Sequence, residues 1–145
     1  MSFDVDKFMG TQFSPRESKV TLPALASFFP EGSDPVFVVR GLTGPEFARV
    51  QEAPKAYKRA EAIAEGLATG NKQEMIEAVR AAIGLGGTTP PDEAVKRIEM
   101  LVIGSVEPKL DRPAVVKFCS AFPVEFFQLT NAITILTGQG HEAGK

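Results

Sequence analysis

Polar and apolar residues alternate along Ser18-Lys19-Val20-Thr21-Leu22, and Val36-Phe37-Val38-Val39-Arg40 is compact, β-branched and aromatic. Both segments read as strands. Pro23 ends pairing after the first, and Pro35 and Gly41 bound the second. Residues 30–35 form a turn-rich connector between them. The pair is expected to be a small antiparallel hairpin. Two strands alone are marginal in water, so this unit must lean on helices or on another chain.

Beyond Gly41 the apolar period becomes helical. Thr43-Gly44-Pro45-Glu46 has the form of a helix start, with a capping threonine, an early proline and glutamate at the capping-box position. Phe47 and Val50 then share a face. Pro54 is expected to break or restart this helix, because it cannot donate the next backbone hydrogen bond. From Lys55 onward, Ala56, Ala60, Ile63, Ala64 and Leu67 make an alanine-rich stripe that ends at Gly70. Asn71-Lys72-Gln73-Glu74 repeats the capping logic ahead of Ile76, Val79 and Ile83, with Gly84 as the stop. Thr89-Pro90-Pro91-Asp92 opens another helix, with Ala94, Ile98, Leu101 and Val102 as its apolar face and Gly104 as its end. Residues 106–110 read as an extended connector interrupted by Pro108. Asp111-Arg112-Pro113 starts a short helix carrying Val115, Val116 and Phe118. Pro123 starts a last one, with Phe126, Leu129, Ile133 and Leu136 as its core stripe and Gly138 as its stop.

The predicted fold is therefore mainly α: a small N-terminal β-hairpin followed by about five or six helical segments in one domain. Residues 1–17 read as a flexible N-terminal arm, residues 18–138 as the single mostly helical domain and residues 139–145 as a flexible C-terminal tail. In the arm, Phe3, Phe8 and Phe13 recur every five residues, which matches neither the strand nor the helix period. These rings either dock separately on their own domain or dock on a partner or neighbouring subunit.

Composition trims the list of functions. The chain has 145 residues, 43% of them hydrophobic and 23% charged, with a formal net charge of −2. That suits one globular domain and leaves no electrostatic footprint for nucleic acid or an anionic membrane. No apolar run is long enough to span a bilayer. Cys119 is the only cysteine and His141 the only histidine, so an internal disulfide is impossible and a Cys/His metal or catalytic site would need these two lone residues to meet. The start of the chain is acidic and lacks the order of a signal peptide, so a cytosolic setting is expected.

Two glycine-rich segments, residues 84–89 and 138–145, invite a phosphate-binding reading, but neither has the required spacing of Gly, four residues and Gly-Lys-Ser/Thr followed by a helix. Carboxylates are placed in ordinary ways: Glu61 and Glu65 share a helix face, and Glu93 sits opposite Arg97 in an ion pair. The basic residues Lys55, Lys58 and Arg59 are answered by those same acids. Catalytic, cofactor-binding and metal-binding residues are all expected to be absent.

The aromatics say more. Phe118, Phe122 and Phe126 are spaced by four, Phe127 is next to the last, and Phe28-Phe29 adds a second pair. Phe126 and Phe127 point about 100° apart on a helix, so one of them, not both, is expected to reach the surface and contribute to a protein contact. The candidate partner-binding residues are thus Phe126, Phe127, Phe3, Phe8 and Phe13.

Val38-Val39-Arg40-Gly41-Leu42-Thr43-Gly44-Pro45-Glu46 after an apolar strand, alanine-rich helices, and the closing Asn131-Ala132-Ile133-Thr134-Ile135-Leu136-Thr137-Gly138-Gln139-Gly140 give an order of elements that resembles the tail assembly chaperones of long-tailed, siphovirus-type bacteriophages. The likeness runs from about residue 18 to the end. It implies a protein that coats the tape-measure protein, keeps its apolar helices soluble, brings tail-tube subunits to it in the host cytoplasm, and leaves before the virion is complete. It also implies a tendency to self-oligomerise and a longer product made by ribosomal slippage near the stop codon, for which Gly144-Lys145 would be encoded by purine-rich codons. The alternative of another class is a structural tail or head–tail joining protein retained in the virion.

Overall fold

The computed structural model describes residues 2–67 and 91–144. Along the chain these form α1 (Val5–Gly10), β1 (Phe13–Ser14), β2 (Glu17–Thr21), a 3-10 turn (Pro23–Phe28), β3 (Val36–Arg40), α2 (Gly44–Leu67), α3 (Asp92–Gly104), β4 (Ser105–Glu107), α4 (Arg112–Ala121), α5 (Pro123–Gly138) and β5 (Glu142–Ala143). The fold is mainly α with short antiparallel strands. The helix expected over residues 71–84 and the glycine-rich segment 84–89 lie outside the described residues.

β2 and β3 pair antiparallel with Glu17 opposite Arg40 and Thr21 opposite Val36. The hairpin gains a third strand, β4, on the far side of β3. β4 comes from the segment expected to be only a connector. The extra strand and the helices supply the support that two strands lack. Phe37 and Val39 alternate into the core with Leu22 and Leu25, and α5 lies against β2 and β3. Its expected stripe of Phe126, Leu129, Ile133 and Leu136 is buried throughout.

α2 departs from its sequence reading. It runs unbroken through Pro54 as a 24-residue helix. Its buried face is Val50, Pro54 and Tyr57, spaced by four and three, whereas Ala56 and Ile63 of the expected alanine-rich stripe are exposed. A mid-helix proline costs about 3 kcal/mol locally. Packing of α2 against α3 outweighs that cost, because most helical stability in proteins comes from tertiary burial.

The two ends of the chain meet. The arm carries α1 and β1, and the tail supplies β5, which pairs with β1 through Phe13–Ala143 and Ser14–Glu142. Arg16 reinforces this ladder: its Nε donates to the Gly140 carbonyl at 3.1 Å and its guanidinium lies 3.8 Å from Glu142. Partners more than a hundred positions apart cannot be seen in local periodicity. No helix among the described residues is long and apolar enough to cross a membrane.

Candidate functional site

The segments Arg40–Glu46 and Ile135–Gly140 touch each other. Thr43 and Glu46 form the expected capping box: the Glu46 amide donates to Thr43 Oγ1 at 3.2 Å and the Thr43 amide donates to Glu46 Oε1 at 3.0 Å. Arg40 closes the loop from the strand side, with its two terminal nitrogens donating to the two Glu46 oxygens at 2.8 Å each. This fork-on-fork contact holds the Glu46 carboxyl down to about 2, below the ordinary glutamate value.

Between strand and helix, Gly41 rests on the last turn of α5. A Cβ there would lie 3.1 Å from the Leu136 carbonyl carbon and 3.2 Å from the Thr137 nitrogen. The buried Leu42 donates its amide to Thr137 Oγ1 at 3.0 Å. Gly104, where α3 meets α5, is equally tight, with Ile133 Cδ1 2.7 Å from an added Cβ. Each of these segments therefore fixes the β3–α2 corner onto α5. They present architecture, not a free surface.

The opposite end of β3 is open. Phe29 meets Phe37 edge-on at 5.4 Å, Phe37 meets Phe118 at 5.7 Å, Phe118 meets Phe122 at 6.2 Å, and Phe122 meets Phe28 at 6.5 Å. Three of these contacts are edge-to-face and the Phe118–Phe122 contact is tilted; edge-to-face rings at these separations attract beyond simple burial. The rings line a groove with a cavity of about 560 Å³. Its floor is Leu25 and Phe37, one wall is the 3-10 turn with Phe28 and Phe29, and the other is α4 with Ala114, Phe118 and Ala121. Pro108 and Leu110 close one side, and Glu107 and Lys117 supply a charge of each sign. Phe28 is 75% exposed although it belongs to this aromatic chain.

The sequence had flagged Phe28-Phe29 and Phe118/Phe122 as two clusters. That they form one surface depends on β3 lying between them. The signal that could have joined them is Phe37, a single large aromatic on the inward face of an otherwise β-branched strand.

The sequence-derived candidates fall into three places. Phe126 is 1% exposed and is therefore core, whereas Phe127 is 47% exposed, matching the expectation that only one of the two reaches the surface. The Phe127 ring meets Phe126 edge-on at 6.1 Å and carries the Arg97 guanidinium 4.3 Å above its face. Arg97 is held there by Thr130 Oγ1 at 2.6 Å, Asn131 Oδ1 at 3.1 Å and Glu93 at 3.3 Å. Phe3, Phe8 and Phe13 contact one another as tilted rings, 5.3 Å between centroids at each step, and all remain exposed. The structure brings none of these five residues into the groove of their own chain.

A second cavity, about 250 Å³, lies among α2, α3 and α4. The buried Glu99 there accepts from Arg112 and lies 3.9 Å from Arg49, so its charge is already matched by two guanidiniums. Among the described residues no group of three or more His, Cys, Asp or Glu could hold a metal ion. Burial raises the Cys119 thiol above its ordinary value, the opposite of what a nucleophile needs. The chain matches no protein-family model, no curated protein and no solved structure.

Proposed function

We propose that the chain is a protein-binding chaperone of the phage tail-assembly type. It takes the apolar face of a helical segment of the tape-measure protein in its aromatic groove, brings tail-tube subunits to the complex in the host cytoplasm, and is left out of the finished particle. The observation that carries the binding part is the open groove of five phenylalanines, whose outermost ring, Phe28, is exposed. A concave, mostly apolar surface with a few charges at its margin suits helix-in-groove recognition. The assembly part rests on the two sequence segments around Arg40–Glu46 and Ile135–Gly140.

The test is co-expression with the product of a neighbouring long, helix-rich reading frame. The expected result is that its apolar helical fragments become soluble and co-purify with this chain, and that Phe28→Glu abolishes both effects while the domain stays folded. Equal solubility of the fragments with and without the chain would remove the reading. Mass spectrometry of purified particles separates the two classes of function: a chaperone is missing from them, a joining protein is present.

A further inference from the structure

The cavity of about 250 Å³ among α2, α3 and α4 shares no lining residue with the aromatic groove. Its walls follow helical spacing. Arg49, Ala53 and Ala56 stand at i, i+4 and i+7 on α2, and Val95 and Glu99 at i and i+4 on α3. α4 adds Arg112, its first residue. Alanine at 53 and 56 leaves a space between the helices that longer side chains would fill. The volume is that of about eight water molecules, enough for one small organic group.

One part of this cavity is charged. The buried Glu99 carboxylate turns one oxygen to each of two arginines: Oε2 accepts from Arg112 Nη2, and Oε1 lies 3.9 Å from Arg49 Nε. A guanidinium carries five N–H donors. Among the described residues Arg112 uses one of them in a hydrogen bond and Arg49 uses none. Glu52, the other acid on the wall, lies 3.9 Å from Lys55. Two positive charges thus face one buried negative charge, which leaves a surplus of one. It is held beside apolar walls, where an anion is attracted more strongly than in open water.

We infer that this cavity binds a monocarboxylate with a short apolar body, its carboxylate bridging Arg49 and Arg112 and its body against Ala53, Ala56 and Val95. A single negative charge balances the site, whereas a phosphate monoester would overshoot it. Guanidiniums flanking one spot present forked N–H donors that match the two oxygens of a carboxylate. Glu99 holds both arginines before the ligand arrives, so less side-chain freedom is lost on binding. The volume has no room for a nucleotide. A free organic acid and the C-terminal residue of a protein chain share this chemistry.

Titration of the full chain, followed by NMR of the arginine Nε–H and valine methyl groups, tests this. Benzoate is expected to shift Arg49, Arg112 and Val95 with a dissociation constant of about 1 mM. Benzamide, the same shape without the charge, should bind at least about tenfold more weakly. Arg49→Met should remove that preference by weakening benzoate, and the fold should tolerate it because the Arg49 side chain is 66% exposed. Arg112→Met is the poorer variant, since it leaves the buried Glu99 without its hydrogen bond. Ala56→Leu, at an exposed helix position, should block the cavity and abolish binding with an unchanged urea midpoint. N-acetyl-leucine separates the two sources: binding tighter than benzoate supports a chain end, and exclusion while benzoate binds supports a free acid. No shift with either acid, benzamide binding as tightly as benzoate, inorganic phosphate binding more tightly than benzoate, or an Arg49→Met variant that keeps its preference would each overturn the inference.

Discussion

The two ends of β3 are finished in opposite ways. At Arg40 the strand runs into a hydrogen-bonded corner: Arg40 forks onto Glu46, Thr43 and Glu46 cap each other, and the Leu42 amide reaches Thr137. At Val36 the same strand opens onto a groove of phenylalanines whose outermost ring faces solvent. A closed corner contributes stability and offers nothing to a partner. An open apolar groove contributes little stability and has binding still to gain. The difference teaches where to look for a binding surface in this domain, namely where the packing is left incomplete.

The comparison can be broken by substitution, and the largest effect should come from the helix that both ends lean on. Phe126→Ala should cost about 3–5 kcal/mol in urea unfolding, and its neighbour Phe127→Ala under about 1 kcal/mol. Equal, large losses at both would show that the outer face of α5 is also core.

At the closed end, Leu42→Ala should cost about 2–5 kcal/mol, because Leu42 is buried within the hydrophobic core. A loss below that range would mean the corner is looser than its geometry.

Glu46→Gln should cost about 1.5–3 kcal/mol at neutral pH by weakening the fork to Arg40. This loss has a pH signature. The folded carboxyl sits at about 2, below the ordinary value of 4.5, so its stabilisation is complete above 4.5 and disappears as pH falls from there toward 2. The stability gap between wild type and Glu46→Gln should close over that window. A gap independent of pH would remove the ion pair as its cause.

At the open end, Phe28→Ala should change stability by no more than about 0.5 kcal/mol while weakening the proposed binding of an amphipathic helical client, read by calorimetry. A large loss of stability with unchanged binding would reverse the contrast drawn here.

Local features were legible in the sequence because they are decided within a turn or two of chain. The alternation of residues 18–22 and the β-branched run 36–40 located β2 and β3. The Thr43/Glu46 spacing located the start of α2, and Asp111 was readable as a cap, accepting from the Ala114 amide at 3.0 Å. The period of Phe126, Leu129, Ile133 and Leu136 marked the buried face of α5. The angular argument that only one of Phe126 and Phe127 reaches the surface also held, because a helix fixes that angle regardless of its neighbours.

Tertiary structure decided everything that depends on distant partners. Pro54 stays helical because α3 buries its face of α2, a packing energy that no local propensity contains. Residues 13–14 become a strand only because residues 142–143 arrive beside them. The closing segment around Thr137 turns out to brace the corner at Gly41, and Phe28 and Phe122, almost a hundred positions apart, become two walls of one groove across Phe37. Sequence periodicity tells each element which side to bury. Which apolar surfaces then find cover and which stay open is a property of the assembled packing, and among the described residues the groove and the arm are two that stay open.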